Sequence, residues 1–348
     1  MKARNSSIEL FRILATFLVL FIHFNGWFVG GVPSNFDFSS ISSFRIGQLS
    51  IQALCACCVN CFILISGYFS IRLKVGSVAK LFIQLVGIFV PFYILDCILG
   101  AGSVFSKQLL YNCLPISRGG YFVQCYFMLM ILSPILNTWI NTSVQRGELK
   151  KVICILVLFL FVELWFDCLR NNDNFGINNG YSVLHFCFVY LIGRMIFLYK
   201  NYFLRYKRYV WLIGYVVSCL IIVLIYLLGF DFAFDYSNPF TILSGVCLFI
   251  PFLYHEFSNR FINWVAKGTF AVYIIQVIDP AYSWLVAMDN KLLINNPYSL
   301  YLIKALGVCV LFFAISIIYD KIRDLLTSPM LSRLNVVFDK IDKKLNLV

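Results

Sequence analysis

Charge is what this sequence has least of. Only 13% of its 348 residues are Asp, Glu, Lys or Arg and 61% are apolar, with a mean hydropathy of +0.85. A soluble globular chain carries roughly 25% charged and 45–50% apolar residues. The shortage excludes a free-standing soluble domain, and apolar runs of about 20 residues recur from end to end, each long enough to cross a bilayer. A second absence concerns the first of these runs, residues 8–29. Lys2 and Arg4 precede it as in a signal peptide, but it lacks a small-residue cleavage site and contains Glu9, Arg12 and His23. It reads as a retained helix.

Cysteine is abundant, with 13 residues, but metal-ligand spacing is missing. Cys55, Cys57, Cys58 and Cys61 fall in one apolar helix, where a turn of about 100° per residue puts the last three on a broad face and Cys55 elsewhere. Free cysteine packs as a small apolar group, and no metal is assigned. The net charge of +12 does not imply nucleic acid, because the basic residues are not gathered on a soluble fold. They alternate with the apolar runs instead.

The expected fold is all-α: a polytopic membrane bundle of about ten helices, near 8–29, 47–69, 78–99, 121–140, 151–168, 182–199, 208–230, 238–254, 268–288 and 299–320. With the amino terminus cytoplasmic, 20 of the 28 basic residues fall on the inner side and five (Arg45, Lys107, Arg118, Arg170 and Lys291) on the outer side, with Arg12, Arg194 and Lys304 inside helices. This is the asymmetry of the positive-inside rule, and it places both termini in the cytoplasm. Residues 1–320 form the membrane domain. Residues 321–348 mix Lys, Arg and Asp with Leu325, Leu326, Leu331, Val336 and Phe338, and read either as a basic amphipathic helix on the anionic inner leaflet or as a solvated tail.

Ionisable groups inside the runs carry the functional signal, since each of Arg, Lys or Asp costs at least about 2.5–3.5 kcal/mol at the centre of a span. The first helix is richest. At 3.6 residues per turn, Glu9, Thr16 and His23 all fall on the same side of the helix as Arg12, within about a sixth of a turn of it, so the four share one stripe. Arg12 and His23 are three turns, about 16 Å, apart along the axis and line one groove at different depths. The structural alternative is that Glu9 and Arg12 only pair at i,i+3 while His23 snorkels outward. His185 begins the sixth helix near the outer face, where a histidine needs no special role, and His255 reads as solvated beside Glu256. Asp96, Glu163, Asp167, Arg194, Asp279 and Lys304 are the other intramembrane charges. Lys304 is expected to neutralise one of the outer carboxylates, Glu163, Asp167 or Asp279.

At this stripe the chain resembles acyltransferase family 3, multipass membrane enzymes that include the O-acetyltransferases of bacterial surface polysaccharides and lipid-linked sugars. The family's opening motif, an acidic residue, Arg, ten residues and His, reads here Glu9, Arg12 and His23. Its second-helix ending appears as CFILISGYFS with Ser66, Gly67 and Tyr68, followed by Arg72, Lys74 and Lys80 ahead of Pro91. YFVQCYFMLMILSPILN, GYSVLHFCFVYLIGRMI and GTFAVYIIQ resemble the fourth, sixth and ninth segments, and the resemblance extends to about residue 320. In two respects the chain departs from the pattern: Gln276 stands where a histidine often stands, and lysines replace some arginines after the second helix, which weakens bidentate phosphate contact.

The resemblance implies a stand-alone enzyme of the bacterial inner membrane, with acyl-CoA, acetyl-CoA above all, as donor, a glycan or lipid-linked sugar as acceptor and no permanently bound cofactor. His23, Arg12 and Glu9 are then the catalytic residues, and Arg72, Lys74, Lys80 and Ser66 the donor-binding ones. Two other readings stay open: a flippase or transporter for a lipid-linked sugar, against which no internal repeat or matched pair of interrupted segments is found, and an inactive relative serving as an interaction subunit. The charge asymmetry makes topology testable. Reporter fusions after Arg72, Lys150, Arg208 and the last helix are expected to report cytoplasm, and an external carboxyl terminus would overturn the assignment.

Overall fold

The computed structural model describes residues 4–28, 31–33, 42–100, 111, 113, 120–169 and 176–344. Lys2, Lys107, Arg118 and Arg170 lie outside them, as does the side chain of Asp167. The described residues are all-helical. Seven helical stretches are long and apolar enough to cross a membrane: 6–26, 43–69, 75–98, 120–145, 208–227, 231–253 and 298–344. They coincide with the expected first, second, third, fourth, seventh, eighth and tenth helices. The protein is a multipass membrane helix bundle.

The remaining three windows are helical but irregular. The fifth is α-helical over Leu149–Val162 and widens into a π turn, Glu163–Leu169. The sixth is a 16-residue helix, Val183–Leu198, started by Ser182, whose hydroxyl accepts from the His185 N–H at 3.2 Å. The ninth is not one helix. It breaks into Thr269–Ile275 and Ala281–Ile294, because Pro280 has no N–H to continue the ladder and disfavours helical backbone in the residue before it. The second window also differs, beginning at Ser43 and interrupted at Ala56 and Cys57, so the four clustered cysteines do not share one regular helix. All four are buried thiols, with Cys57 and Cys61 sulfurs 3.9 Å apart.

In chain order we label the helices α1 (Ser6–His23), α2 (Ser43–Cys55), α3 (Cys58–Phe69), α4 (Val75–Ile98), α5 (Gly120–Gln145), α6 (Leu149–Val162), α7 (Val183–Leu198), α8 (Lys200–Phe203), α9 (Arg208–Leu227), α10 (Pro239–Phe249), α11 (Arg260–Ala266), α12 (Thr269–Ile275), α13 (Ala281–Ile294) and α14 (Tyr298–Lys344). They divide into two compact units, residues 1–71 with 132–266, and residues 72–131 with 267–348.

The first unit is organised around α3 and α7. A Cβ on Gly67 would overlap the carbonyl oxygen of Tyr190 and approach the Arg194 nitrogen to 3.1 Å, and one on Gly193 would overlap the carbonyl of Leu64. Each glycine thus admits the other helix's backbone, the small-residue contact that replaces hydrophobic drive between helices in lipid. The start of α1 is held by polar contacts. Asn5 caps it by accepting from the Ser7 N–H at 3.0 Å, the Ser6 N–H donates to Phe257 O at 2.7 Å, and the Ser6 and Ser7 hydroxyls donate to Asn263 Oδ1 and Phe252 O at 2.9 and 2.7 Å.

In the second unit α14 runs unbroken through residue 320 to Lys344, past Pro329. The Asp342 carboxylate accepts from the Val75 N–H at 2.7 Å and so caps α4, while Phe338 lies against Gly76. Higher on the same pair, Asp320 accepts from Gln84 Nε2 at 3.2 Å and is paired with Arg323 at 2.8 Å, and the Tyr319 hydroxyl donates to Gly87 O at 2.9 Å.

The α3–α7 crossing gives a direct stability test. Gly67→Ala and Gly193→Ala are each expected to lower the thermal unfolding midpoint in detergent, at a cost on the order of 1–3 kcal/mol for overpacking. Gly245→Ala, where a methyl meets nothing closer than 3.5 Å, serves as the neutral control; equal midpoints for all three would show that the crossing yields.

Candidate active site

The stripe on α1 is realised as a graded set of environments. Glu9 is buried, and its carboxylate is shared by two arginines, Arg4 Nε at 2.7 Å and Arg12 Nη1 at 2.9 Å. Each carboxylate oxygen of Glu9 thus meets one guanidinium group. Arg12 is half-buried, and its carbonyl accepts from the Thr16 hydroxyl at 2.9 Å, which satisfies a hydroxyl with no exposed surface. The expected Glu9–Arg12 pair is present. Arg4, read from sequence only as a cytoplasmic flank, joins it.

His23 is the last α-helical residue of α1 and is buried. Just beyond it the chain widens into a π turn, Phe24–Phe28, a feature that recurs at functional sites. Asn25 in this turn is buried, and its amide donates to Gln48 O and Gln52 Oε1, each at 3.0 Å. Gln48 Oε1 in turn accepts from Arg45 Nη1 at 2.9 Å. The far end of α1 is therefore tied to α2 by amides that sequence reasoning passed over, since Asn and Gln stand out less than charges in an apolar run.

Of the expected donor-binding residues, Ser66 is half-buried on α3, and its hydroxyl donates to Phe62 O at 2.9 Å. Arg72 is exposed, Lys74 immediately precedes α4, and Lys80 is exposed near the start of that helix. All three belong to the second unit. At the end of α7, Lys200 pairs with Glu256 at 2.8 Å. Burial by itself would lower the Lys200 pKa, but the hydrogen bond to Glu256 and its charge outweigh burial and carry it above the ordinary lysine value.

His185 corrects the sequence reading. It has no exposed surface, and its Nδ1 lies 2.9 Å from Glu163 Oε1 and its Nε2 2.9 Å from Asn60 Oδ1. Asn60 Nδ2 donates to Tyr236 O at 3.0 Å, so its oxygen must face the ring and His185 Nε2 must carry a proton. Nδ1 and the Glu163 carboxyl share the ring's second hydrogen bond. The π turn beginning at Glu163 brings this carboxylate in from α6. Lys304, expected to neutralise an outer carboxylate, instead donates to Asn296 Oδ1 at 2.5 Å, and Asp279 accepts from the Ser283 hydroxyl at 2.6 Å.

The site thus lies in a multipass membrane protein, with a carboxylate–arginine cluster and a buried histidine along one helix. Residues 5–321 match the acyltransferase domain that defines acyltransferase family 3, and the chain belongs to that family. It is a membrane acyltransferase. No curated protein and no solved structure matches it.

The His185 assignment is tested by stability. Glu163→Gln retains a donor for Nδ1 of a neutral ring and is expected to fold nearly as wild type. Glu163→Leu and Asn60→Leu each strand a buried ring nitrogen at about 1–3 kcal/mol and should unfold at lower temperature. Indistinguishable midpoints for Glu163→Gln and Glu163→Leu would dismiss the hydrogen bond.

Proposed function

We propose that this acyltransferase transfers an acetyl group from acetyl-CoA to a hydroxyl of a cell-surface polysaccharide or lipid-linked sugar at the bacterial inner membrane. The observation that carries the reading is the α1 stripe: a charged cluster at one end and a buried histidine about 16 Å along the axis, on a helix made mostly of Ile, Leu, Phe and Val. That separation suits a donor with a long flexible arm, whose phosphates stay at the wet face while its thioester reaches inward.

In this mechanism the His23 imidazole takes the acceptor hydroxyl proton as the oxygen attacks the thioester carbonyl. The carbon–sulfur bond then breaks, the coenzyme thiolate receives the proton from His23, and the acyl–oxygen ester remains. Arg12, oriented by Glu9, anchors the donor from the cytoplasmic side. Arg72, Lys74 and Lys80 hold its phosphates, and Ser66 lines its path.

Kinetics on purified protein separates these roles. His23→Ala is expected to lower kcat by about 10²–10⁴-fold, the loss typical of a general base, with acetyl-CoA binding intact. Arg12→Ala should weaken donor binding as well, with only partial rescue by Arg12→Lys, because an ammonium lacks the planar fork. Neutralising Arg72 and Lys80 together should raise KM for acetyl-CoA more than it lowers kcat. Wild-type turnover by His23→Ala would move the base elsewhere, and a His23→Ala protein that fails to insert would make the stripe structural.

A further inference from the structure

Arg194 is an intramembrane charge that neither the stripe nor the donor residues above use. It lies one turn before the end of α7, half-buried. Asn141 Oδ1 accepts from its Nε at 3.3 Å and its Nη2 at 3.1 Å, and its guanidinium carbon lies 4.7 Å from the centroid of the Phe197 ring. Among the described residues no carboxylate pairs with it. By contrast, Arg4 and Arg12 meet Glu9, Lys200 meets Glu256 and Lys151 meets Glu148.

A guanidinium has five N–H donors in a planar fork. Asn141 takes two of them and Phe197 covers one face, so the ring and amide fix the orientation while three N–H groups and the positive charge remain. The setting is also rigid. One turn earlier on α7, Tyr190 donates to Asn137 Oδ1 at 2.8 Å and accepts from the Ile71 N–H at 2.9 Å, and Asn137 Nδ2 donates to Ile71 O at 2.9 Å. The turn that closes the Ser-Gly-Tyr ending of α3 is thereby clamped beside Arg194, and Gly67 is the residue that allows Arg194's own backbone to approach. A charge held this way without a counter-charge is suited to receive one from outside the chain.

We propose that Arg194, oriented by Asn141 and Phe197, is an anion-binding site for a phosphate ester. Arg presents two parallel N–H groups that match phosphate oxygens, and the segment that follows α7 carries Arg205, Lys207 and Arg208, basic residues that favour a doubly charged phosphate over a single carboxylate. In the acyl-CoA reading above, on which the choice of ligand rests, the site adds a contact to the donor's phosphates on the first unit. The same chemistry is offered by the headgroup phosphate of an anionic lipid.

Binding of free coenzyme A to the detergent-purified full chain, and thermal stabilisation by phosphatidylglycerol vesicles relative to phosphatidylcholine vesicles, distinguish the sources. Arg194→Gln keeps a donor for Asn141, and Asn141→Asp leaves the arginine in place but supplies the missing counter-charge. Both are expected to weaken coenzyme A binding by about tenfold or more, with Arg194→Lys between them and wild type. Should Arg194→Gln fail to fold, Asn141→Asp carries the test. If coenzyme A binding is unchanged but both variants lose the phosphatidylglycerol-specific stabilisation, the site stands and its phosphate is a lipid's. If neither measurement moves, the inference is wrong. A wild-type protein that binds no coenzyme A would sink the donor reading, and the vesicle comparison would still decide for or against Arg194.

Discussion

The closeness of α3 and α7 is the constraint from which the rest of the first unit follows. Two backbones meet where Gly67 faces the Tyr190 carbonyl and Gly193 faces that of Leu64, and no side chain larger than hydrogen fits at either point. On one side of this crossing the same two helices bring Asn60 to His185. On the other they bring the turn after Tyr68 to Tyr190. Packing of small residues therefore sets the distances at which both polar clusters form, and a hydrogen bond of 2.9 Å has little tolerance for a helix displaced by a methyl group.

Polar atoms away from water must find partners inside the protein, and the first unit meets that demand in two different ways. Around His185 both ring nitrogens and the Asn60 amide find partners inside the protein, in Glu163, Asn60 and the Tyr236 carbonyl. Around Arg194 it is met without a counter-charge among the described residues: Asn141 gives the guanidinium a neutral acceptor. Closed networks of the first kind specify structure. Open positive sites suit an anionic substrate, whose charge completes them on binding.

For an acyltransferase this division has a mechanistic use. With acyl-CoA as the proposed donor, transfer needs a proton acceptor near the thioester and cations near the phosphates, and on an α-helix the two requirements can be separated by whole turns without leaving one face. Glu9 holds Arg12 in position, and Arg4 shares the same carboxylate. The π turn after His23 and the Asn25 amide bonded to α2 hold the histidine's end of the helix in register with its neighbour.

Much of the fold was legible in the residues alone. Runs of about 20 apolar residues identify spans because a bilayer accepts only such lengths, and the i,i+3 spacing of Glu9 and Arg12 sufficed for their ion pair, since residues three apart on a helix are neighbours whatever surrounds them. The stripe followed from the same local periodicity, and the family from the motif that lies on it. Tertiary structure alone decided what depends on neighbours distant in sequence. Glu163 and His185 are 22 residues apart and Asn60 and His185 are 125 apart, so nothing in the pattern around His185 announced a buried network. The break at Pro280, the π turn at Glu163 and the run of α14 to Lys344 are set by packing against other helices as well as by local propensity, which a window of apolar residues averages away. Arg194 was visible as a charge in an apolar run. That its partner is the amide of Asn141, and not a carboxylate, is a property of how α5 lies on α7.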